Sequence, residues 1–408
     1  MQENNITIGL GLPDLRVLGQ EELPGLLVVT VVYRQGERVC PRCGHVTAKV
    51  HQYHPQWKQD CSLGARRVLL RLLKRRFRCI HCGKVFTEPD EVCGWRRRTT
   101  CRFQAQLAEE ARWQTVKRVA EKEEVSQGLV QRAYNQAAQR LLEARGASPR
   151  TPRWMALDEF SVRKGHRYQT AICDLGRREV LEVVEGHKAQ SAQAYLEKLP
   201  EPEKVEAVVI DMHEPYRQVV QLCCPRAKIV ADKYHLIRKV NWVMDQVRIR
   251  LQRRERRGRK SPLYRKRYLL LRGAERLSEE KIRALGELLT SYPELAEAWS
   301  LKEAFRAWYR LPDRKSAERE LLLWEKRAMR EGPPEFKALS SMLTNWREEI
   351  LNYFDHRLTN GFLEGKNNRI KTMTRVAYGY RNMENLRLRI LMSNRRSTIA
   401  AGPHYHTI

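Results

Sequence analysis

Two CxxC pairs set the first constraint on this chain: Cys40-Pro-Arg-Cys43-Gly and Cys79-Ile-His-Cys82-Gly, with 35 residues between them. In each pair a glycine follows the second cysteine, where a tight knuckle turns backbone amides toward sulfur. Four thiolates so spaced close a tetrahedral shell, which predicts a structural Zn2+ held by Cys40, Cys43, Cys79 and Cys82. A disulfide is the competing use of paired cysteines, and a reducing cytoplasm disfavours it. His45 and His81 lie beside the knuckles as substitutes, whereas Cys61, Cys93 and Cys101 fit no pair and read as buried or incidental.

Between the knuckles, Arg66 to Arg78 (RRVLLRLLKRRFR) mixes β-forming apolar residues with seven basic ones. It reads as a strand pair with one strongly positive face, either a solvated edge or a phosphate contact. Trp95-Arg96-Arg97-Arg98 closes the module. Charge extends the argument: 77 Lys and Arg against 48 Asp and Glu give a net charge of +29, while 42% of the residues stay apolar. A folded polycation calls for a polyanionic partner, nucleic acid first and an acidic membrane surface second. The start, MQENNITIGLGLPDL, has no secretory pattern, and the longest apolar stretch, Leu26 to Val32, is too short for a bilayer. A cytoplasmic, nucleoid-associated protein without a membrane segment is expected.

From Cys101 to Arg145 the apolar residues recur at three- and four-residue spacing. Val116 to Ala120 reads as one helix, Glu124-Val125-Ser126 as turn and N-cap, and Gln127 to Leu142 as a second helix. A helix-turn-helix lays its second helix in the major groove, which makes Gln127, Gln131, Arg132 and Asn135 candidate DNA contacts. An ordinary helical hairpin is the plainer alternative. Gly146 to Pro152 (GASPRTP) reads as a linker.

The period then changes to two. WMALD (154–158), RYQTAIC (167–173) and VLEVV (180–184) are three short strands joined by turn-like KGH and GRR segments. A helix from Ser191 to Leu199, the strand AVVID (207–211), a helix around Tyr216 to Cys223, the strand Ile229 to Ala231 and a long helix from Leu236 follow. The order βββαβαβα is the ribonuclease-H-like layout, in which the first and fourth strands are neighbours. Asp158 and Asp211 each end one of those strands, so both should emerge at one sheet edge. Two carboxylates so close repel each other unless a cation lies between them, and Mg2+ (or Mn2+) suits oxygen ligands and phosphate substrates.

Glu364 is the best third carboxylate, because Asn360 can cap a helix on which Glu364, Asn367, Lys371 and Arg375 share one face. A metal-binding carboxylate followed by ammonium and guanidinium groups suits a helix lying along a phosphate backbone. Glu159 and Glu214 are set aside, the first because it points to the opposite sheet face. The 152 residues between Asp211 and Glu364 exceed what the last strand and helix need. From Val240 to Asn352 they are rich in Leu, Glu, Arg, Ala and Lys, as in a helical insertion, with core tryptophans at 242, 299, 308, 324 and 346. Arg248 to Arg272 carries twelve basic residues and only Glu255 as an acid, as a DNA-clamping arm, a mobile loop or a solvated helix would.

These motifs resemble the DDE transposases of bacterial insertion sequences, specifically the zinc-ribbon-bearing group called the ISL-three family. The resemblance runs through CPRCG, RRFRC, ALDEFSVRKGH, VVIDMHEPY, VADKYHLIRKVN and NWREEILNYFDHRLTNGFLEGKNNRIKTMTRVAYGYRN, nearly the whole chain. It implies a catalytic triad at Asp158, Asp211 and Glu364, and a DNA-binding Lys371 seven residues after Glu364. It also likens Asp232-Lys233-Tyr234-His235 to a signature found after the second Asp, against a plain helix cap and core imidazole. The expected architecture is an α/β ribonuclease-H-like catalytic core with an all-α insertion, preceded by a four-cysteine zinc ribbon and a helix-turn-helix domain. Its parts are residues 1–98 (ribbon), 99–150 (helix-turn-helix and linker), 151–240 (core), 241–350 (insertion) and 351–408 (final core helix and tail). The expected activity is Mg-dependent cleavage and strand transfer at terminal inverted repeats of double-stranded DNA, by at least a homodimer. A non-catalytic DNA-binding regulator and a structure-specific metal nuclease are the alternatives.

Overall fold

The computed structural model describes residues 11–93, 97–146, 150–163, 167–186 and 189–393, and the chain divides near residue 147 into two compact units. Trp95 and Arg96, residues 147–149 of the expected linker, the expected turn at residues 164–166 and the tail from residue 394 lie outside the described residues.

The first unit opens with β1 (Leu15–Leu23), β2 (Leu26–Tyr33), the short β3 (Arg38–Val39) and β4 (Val46–Thr47), β5 (Val50–Leu63), β6 (Arg66–Arg78) and β7 (Val85–Thr87). The main sheet runs β1-β2-β6-β5 with β7 also on β6, while β3 and β4 form their own ribbon. Alternate residues Leu27, Val29 and Val31 of β2 and Val68, Leu70 and Leu72 of β6 fill one core, as a period of two dictates. The expected strand pair over 66–78 is one 13-residue strand, because no turn residue interrupts that alternation and β5 supplies the partner.

Nor is its charge gathered on one positive face. Lys74 and Arg75 are buried against Asp90 and Glu88, and Arg66 and Arg67 pair with Glu22 and Glu124. Arg71, Arg76 and Arg78 stay exposed.

Three helices follow in this unit among the described residues: α1 (Cys101–Trp113), α2 (Val116–Lys122) and α3 (Gln127–Gly146). Thr100 and Thr115 cap α1 and α2 through their hydroxyls, and Ser126 Oγ accepts from the Leu129 amide at the start of α3. Glu124 turns the chain between α2 and α3 with φ of 52°. Phe103, Leu107 and Ala111 of α1 and Val130, Tyr134 and Ala138 of α3 are buried, and the two helices pack together.

The second unit opens with β8 (Trp154–Arg163), β9 (Arg167–Asp174), β10 (Glu179–Glu185), α4 (Ala189–Leu196), β11 (Ala207–Ile210), α5 (Glu214–Cys223) and β12 (Lys228–Ala231). Its sheet runs β10-β9-β8-β11-β12. The first three strands form an antiparallel meander, whereas β11 and β12 run parallel to β8. All four β11 residues are buried, as the continuous apolar run of a parallel strand demands.

Helices follow without a strand among the described residues: α6 (Lys233–Arg254), α7 (Arg267–Leu271), α8 (Glu279–Ser291), α9 (Pro293–Trp308), α10 (Arg314–Arg330), α11 (Pro334–Asn345), α12 (Arg347–His356), α13 (Gly361–Val376) and α14 (Met383–Met392). None is long and apolar enough to cross a membrane. Trp308 and Trp324 are buried, their indole N–H groups donating to the carbonyls of Ala317 and Leu301. Trp346 is buried beneath the Arg217 guanidinium. Trp242 departs from the expected core placement: it is half exposed, beside Lys239. Part of the Arg248–Arg272 charge is also used internally, since Arg250 pairs with Glu294 and Glu335 and Arg267 with Asp245. Asn352 of α12 donates to the Ile229 carbonyl of β12, fixing the helices to the sheet.

Candidate active site

Strand register brings the first two carboxylates together. Ala156 of β8 pairs with Val209 of β11, so Asp158 and Asp211, each two residues farther on, stand at the same level and on the same face. Asp158 does not end its strand as expected. It lies mid-strand, because β8 continues to Arg163 alongside β9, where Asp158 pairs with Ala171. Asp211 follows the end of β11. One strand over, Ile210 pairs with Ala231, which puts Asp232 at the matching position after β12.

Asp232 is the hub of the arrangement. Its Oδ2 caps α6 by accepting from the His235 amide at 3.1 Å, and its Oδ1 accepts from the Asn360 amide at the start of α13 at 2.9 Å. His235 Nδ1 lies 3.0 Å from Asp232 Oδ2 and 2.6 Å from Asp211 Oδ1. Farther along α13, Asn367 Nδ2 donates to Asp158 Oδ2 at 2.8 Å. This helix is therefore pinned to the carboxylates at two points, and Glu364 stands between them on the same face.

Atoms of Asp158, Asp211 and His235 lie within 4.8 Å of one another; Glu364 is outside that group. Glu364 is half-buried near Tyr234, whose pKa is raised first by burial and then by the Glu364 charge. Lys371 and Arg375 are exposed farther along the helix. The position of Asp232 beside Asp211, and its hold on α13, escaped the sequence reading. The signal was an Asp directly after a second short apolar strand.

Burial, and then the Asp211 charge, push the Asp158 carboxyl up to about 7. Burial alone would lower His235, but Asp211 and Asp232 outweigh it and lift the imidazole to about 9. Burial works against Asp232 too, yet bonds from His235 and the Asn360 amide hold it below its ordinary value. Asp211 Oδ1 and Asp232 Oδ2 both face His235 Nδ1, at 2.6 Å and 3.0 Å. Two hard oxygen donors in mutual repulsion, those of Asp158 and Asp211, fit a divalent cation such as Mg2+.

The cysteines form a second centre. Cys40, Cys43, Cys79 and Cys82 converge, with Sγ atoms 3.6 Å apart for Cys40–Cys82 and 3.5 Å for Cys43–Cys79. Zinc–sulfur bonds of about 2.3 Å give tetrahedral edges of about 3.8 Å, so the set fits zinc. Gly44 and Gly83 take φ of 73° and 71° at the knuckle tips, where a side chain would be strained. Burial opposes ionisation of Cys40, but the Arg42 and Cys43 amides prevail and lower it to about 6; the Cys82 amide lowers Cys79. His45 and His81 stack on each other with ring centroids 3.8 Å apart. Cys61, Cys93 and Cys101 are free.

On α3, Gln127 and Arg132 are exposed, whereas the Gln131 amide donates to Asn135 Oδ1 at 2.8 Å. That bond between neighbouring turns limits what either residue offers to a partner.

Comparison with known proteins gives matches over the spans that hold both centres. Residues 155–390 match the ISL3 family model described as "Transposase", a span that holds Asp158, Asp211 and Glu364. Residues 36–82 match one described as "zinc-finger of transposase IS204/IS1001/IS1096/IS1165", a span that holds all four converging cysteines. The chain is 31% identical over 364 residues to the transposase for insertion sequence element IS1001 of Bordetella parapertussis, covering 86% of this chain and 87% of that one. It is 26% identical over 281 residues to the transposase for insertion sequence element IS1557 of Mycobacterium tuberculosis, covering 62% of this chain and 63% of the relative. With more than half its length inside the family model and a zinc ribbon of the matching kind before it, the chain belongs to the ISL3 family of transposases.

Proposed function

We propose that the chain cleaves DNA at the terminal inverted repeats of an insertion sequence and joins the freed ends to target DNA. The observation that carries this reading is the equal register of Asp158 and Asp211 on neighbouring parallel strands. The strand order β10-β9-β8-β11-β12 supports a ribonuclease-H-like core, with the helices between Val240 and Asn352 as its insertion. Helices α2 and α3 with their Glu124–Ser126 turn support a helix-turn-helix, with Gln127 and Arg132 facing DNA and Gln131 and Asn135 held by each other.

In this reading Asp158, Asp211 and Glu364 hold Mg2+ or Mn2+, with Glu364 brought in on α13. The cation supplies Lewis-acid activation at the attacking and leaving oxygens. Water attacks the phosphorus at the transposon end, the P–O3′ bond breaks, and the released 3′-hydroxyl then attacks a target phosphodiester, displacing its 3′-oxygen. Asp232 orients His235 toward Asp211 and anchors α13; Asn367 holds Asp158. Lys371 and Arg375 meet the DNA backbone, and the exposed arginines of 248–272 extend that contact. Both transposon ends must be brought together, so at least a homodimer assembles on duplex DNA in the bacterial cytoplasm.

The test is boundary nicking in Mg2+ of a labelled duplex carrying the element's own end, beside a shuffled duplex, by wild type and Asp211→Asn. Nicking at the boundary that the variant loses supports the proposal. Tight binding without cleavage by either protein points to a regulator, and equal cleavage of the shuffled duplex points to a structure-specific nuclease.

A further inference from the structure

The N-terminal sheet carries its core on one face, and the other face presents aromatic rings to solvent. Tyr53, Pro55 and Trp57 are alternate residues of β5, so their side chains share a face at spacings of about 7 Å. All three are exposed, Tyr53 by 55% and Trp57 by 54%. The register sets Arg75 beside Tyr53, Leu73 beside Pro55 and Arg71 beside Trp57. A concavity that includes Tyr53 and Leu73 is rimmed by Arg16 and Arg34.

Large rings left in water on a sheet mark an interaction surface, and the charge around them selects its partner. Arg16, Arg34 and Arg71 are exposed, while Glu88 and Glu124 are taken up by Arg75 and Arg67. Glu21 is the acid opposite Val28, at the far end of β1. A second copy of a chain with net charge +29 meets this surface with repulsion. A polyanion whose units carry flat rings meets it with attraction.

We propose that this face binds unpaired DNA, with successive bases stacked on Tyr53, Pro55 and Trp57 and phosphates met by Arg71, Arg16 and Arg34. Stacking platforms of this type take single strands with little sequence preference, because every base offers a π-face. The inference rests on the reading that the chain acts on DNA and is independent of the carboxylate site. It gives the ribbon-bearing unit a role beyond duplex recognition: holding a strand that cleavage has released or that end opening has unpaired.

The test uses the full-length, zinc-loaded protein with fluorescent oligothymidine and, separately, a duplex, read by anisotropy for wild type, Tyr53→Ala, Trp57→Ala and Trp57→Phe. Each alanine variant weakens oligothymidine binding by about tenfold, Trp57→Phe retains most of it, and duplex affinity is unchanged. Photo-crosslinking of bromouracil-substituted single strand to wild type, which needs no variant to fold, yields adducts in the peptide containing Tyr53 and Trp57. Alanine variants that bind oligothymidine as tightly as wild type, or crosslinks confined to other peptides, overturn the proposal. So does a change in sedimentation with single-strand binding intact, which identifies a self-association surface. Duplex binding without oligothymidine binding removes this proposal alone; absence of both removes the DNA reading beneath it.

Discussion

Asn367 Nδ2 donates a 2.8 Å hydrogen bond to Asp158 Oδ2, joining α13 to the middle of β8 across 209 residues of sequence. At the other end of the same helix face, the Asn360 amide donates to Asp232 Oδ1. Asp158 and Asp232 are thereby both held by the helix that carries Glu364, so the position of Glu364 is tied to theirs.

Removing that bond should uncouple placement from folding. Asn367→Ala leaves a buried carboxylate oxygen without its donor, at a cost of about 1–3 kcal/mol. A small displacement of a reacting group costs roughly a hundredfold in rate. Thermal melting and boundary nicking measured on one preparation check this; wild-type values in both would contradict it.

Zinc should account for the fold of the ribbon knuckles. Cys79→Ser removes one of four converging thiolates, and metal content should fall from one zinc per chain toward none. The N-terminal unit should then melt earlier while the second unit's transition stays in place. Unchanged zinc content in the variant would count against the four-cysteine site.

Acid stability should trace to Asp90. It is buried, accepts from Lys58 at 2.9 Å, and lies 3.4 Å from Lys74. Burial opposes its ionisation, but Lys58 and Lys74 prevail and hold its pKa below the ordinary value. A carboxyl depressed on folding stabilises above its unfolded pKa of about 4, and that contribution is lost as pH falls through the folded value. Asp90→Asn leaves two lysines buried without their counter-charge, at a cost of about 3–5 kcal/mol near neutrality. Melting curves taken between neutral and acidic pH should converge for wild type and variant as pH falls; parallel curves would refute the assignment.

The turn after α13 should tolerate one stabilising change. Tyr378 has φ of 54° and is fully exposed, a backbone conformation that costs an ordinary residue about 1–2 kcal/mol. Tyr378→Gly relieves it, offset by roughly 1 kcal/mol of added backbone entropy in the unfolded chain. The variant should melt no lower than wild type, and a clear drop would reveal a packing role for the ring.

Local features were the most legible in the sequence. The cysteine knuckles depend on spacings of two residues and a glycine, and Asp211 was marked by the apolar run AVVI before it. Features decided at long range were not. That β8 runs on past Asp158 depends on pairing with β9, whose residues alone do not announce its length. Lys74 and Arg75 looked like surface charge because their partners, Asp90 and Glu88, lie more than ten residues onward in the chain. The link from Asp232 to Asn360 joins two segments separated by the whole helical stretch, and Trp242 reads like its buried counterparts until packing leaves it outside.

The most direct test of the carboxylate account is a metal switch at Asp211. Thiolate is a poor ligand for Mg2+ and accepts softer divalent cations more readily, so Asp211→Cys should lose boundary nicking in Mg2+ and regain part of it in Mn2+, with DNA-end binding unchanged. Nicking by Asp211→Cys in Mg2+ at the wild-type rate would contradict the claim that Asp211 holds the catalytic cation.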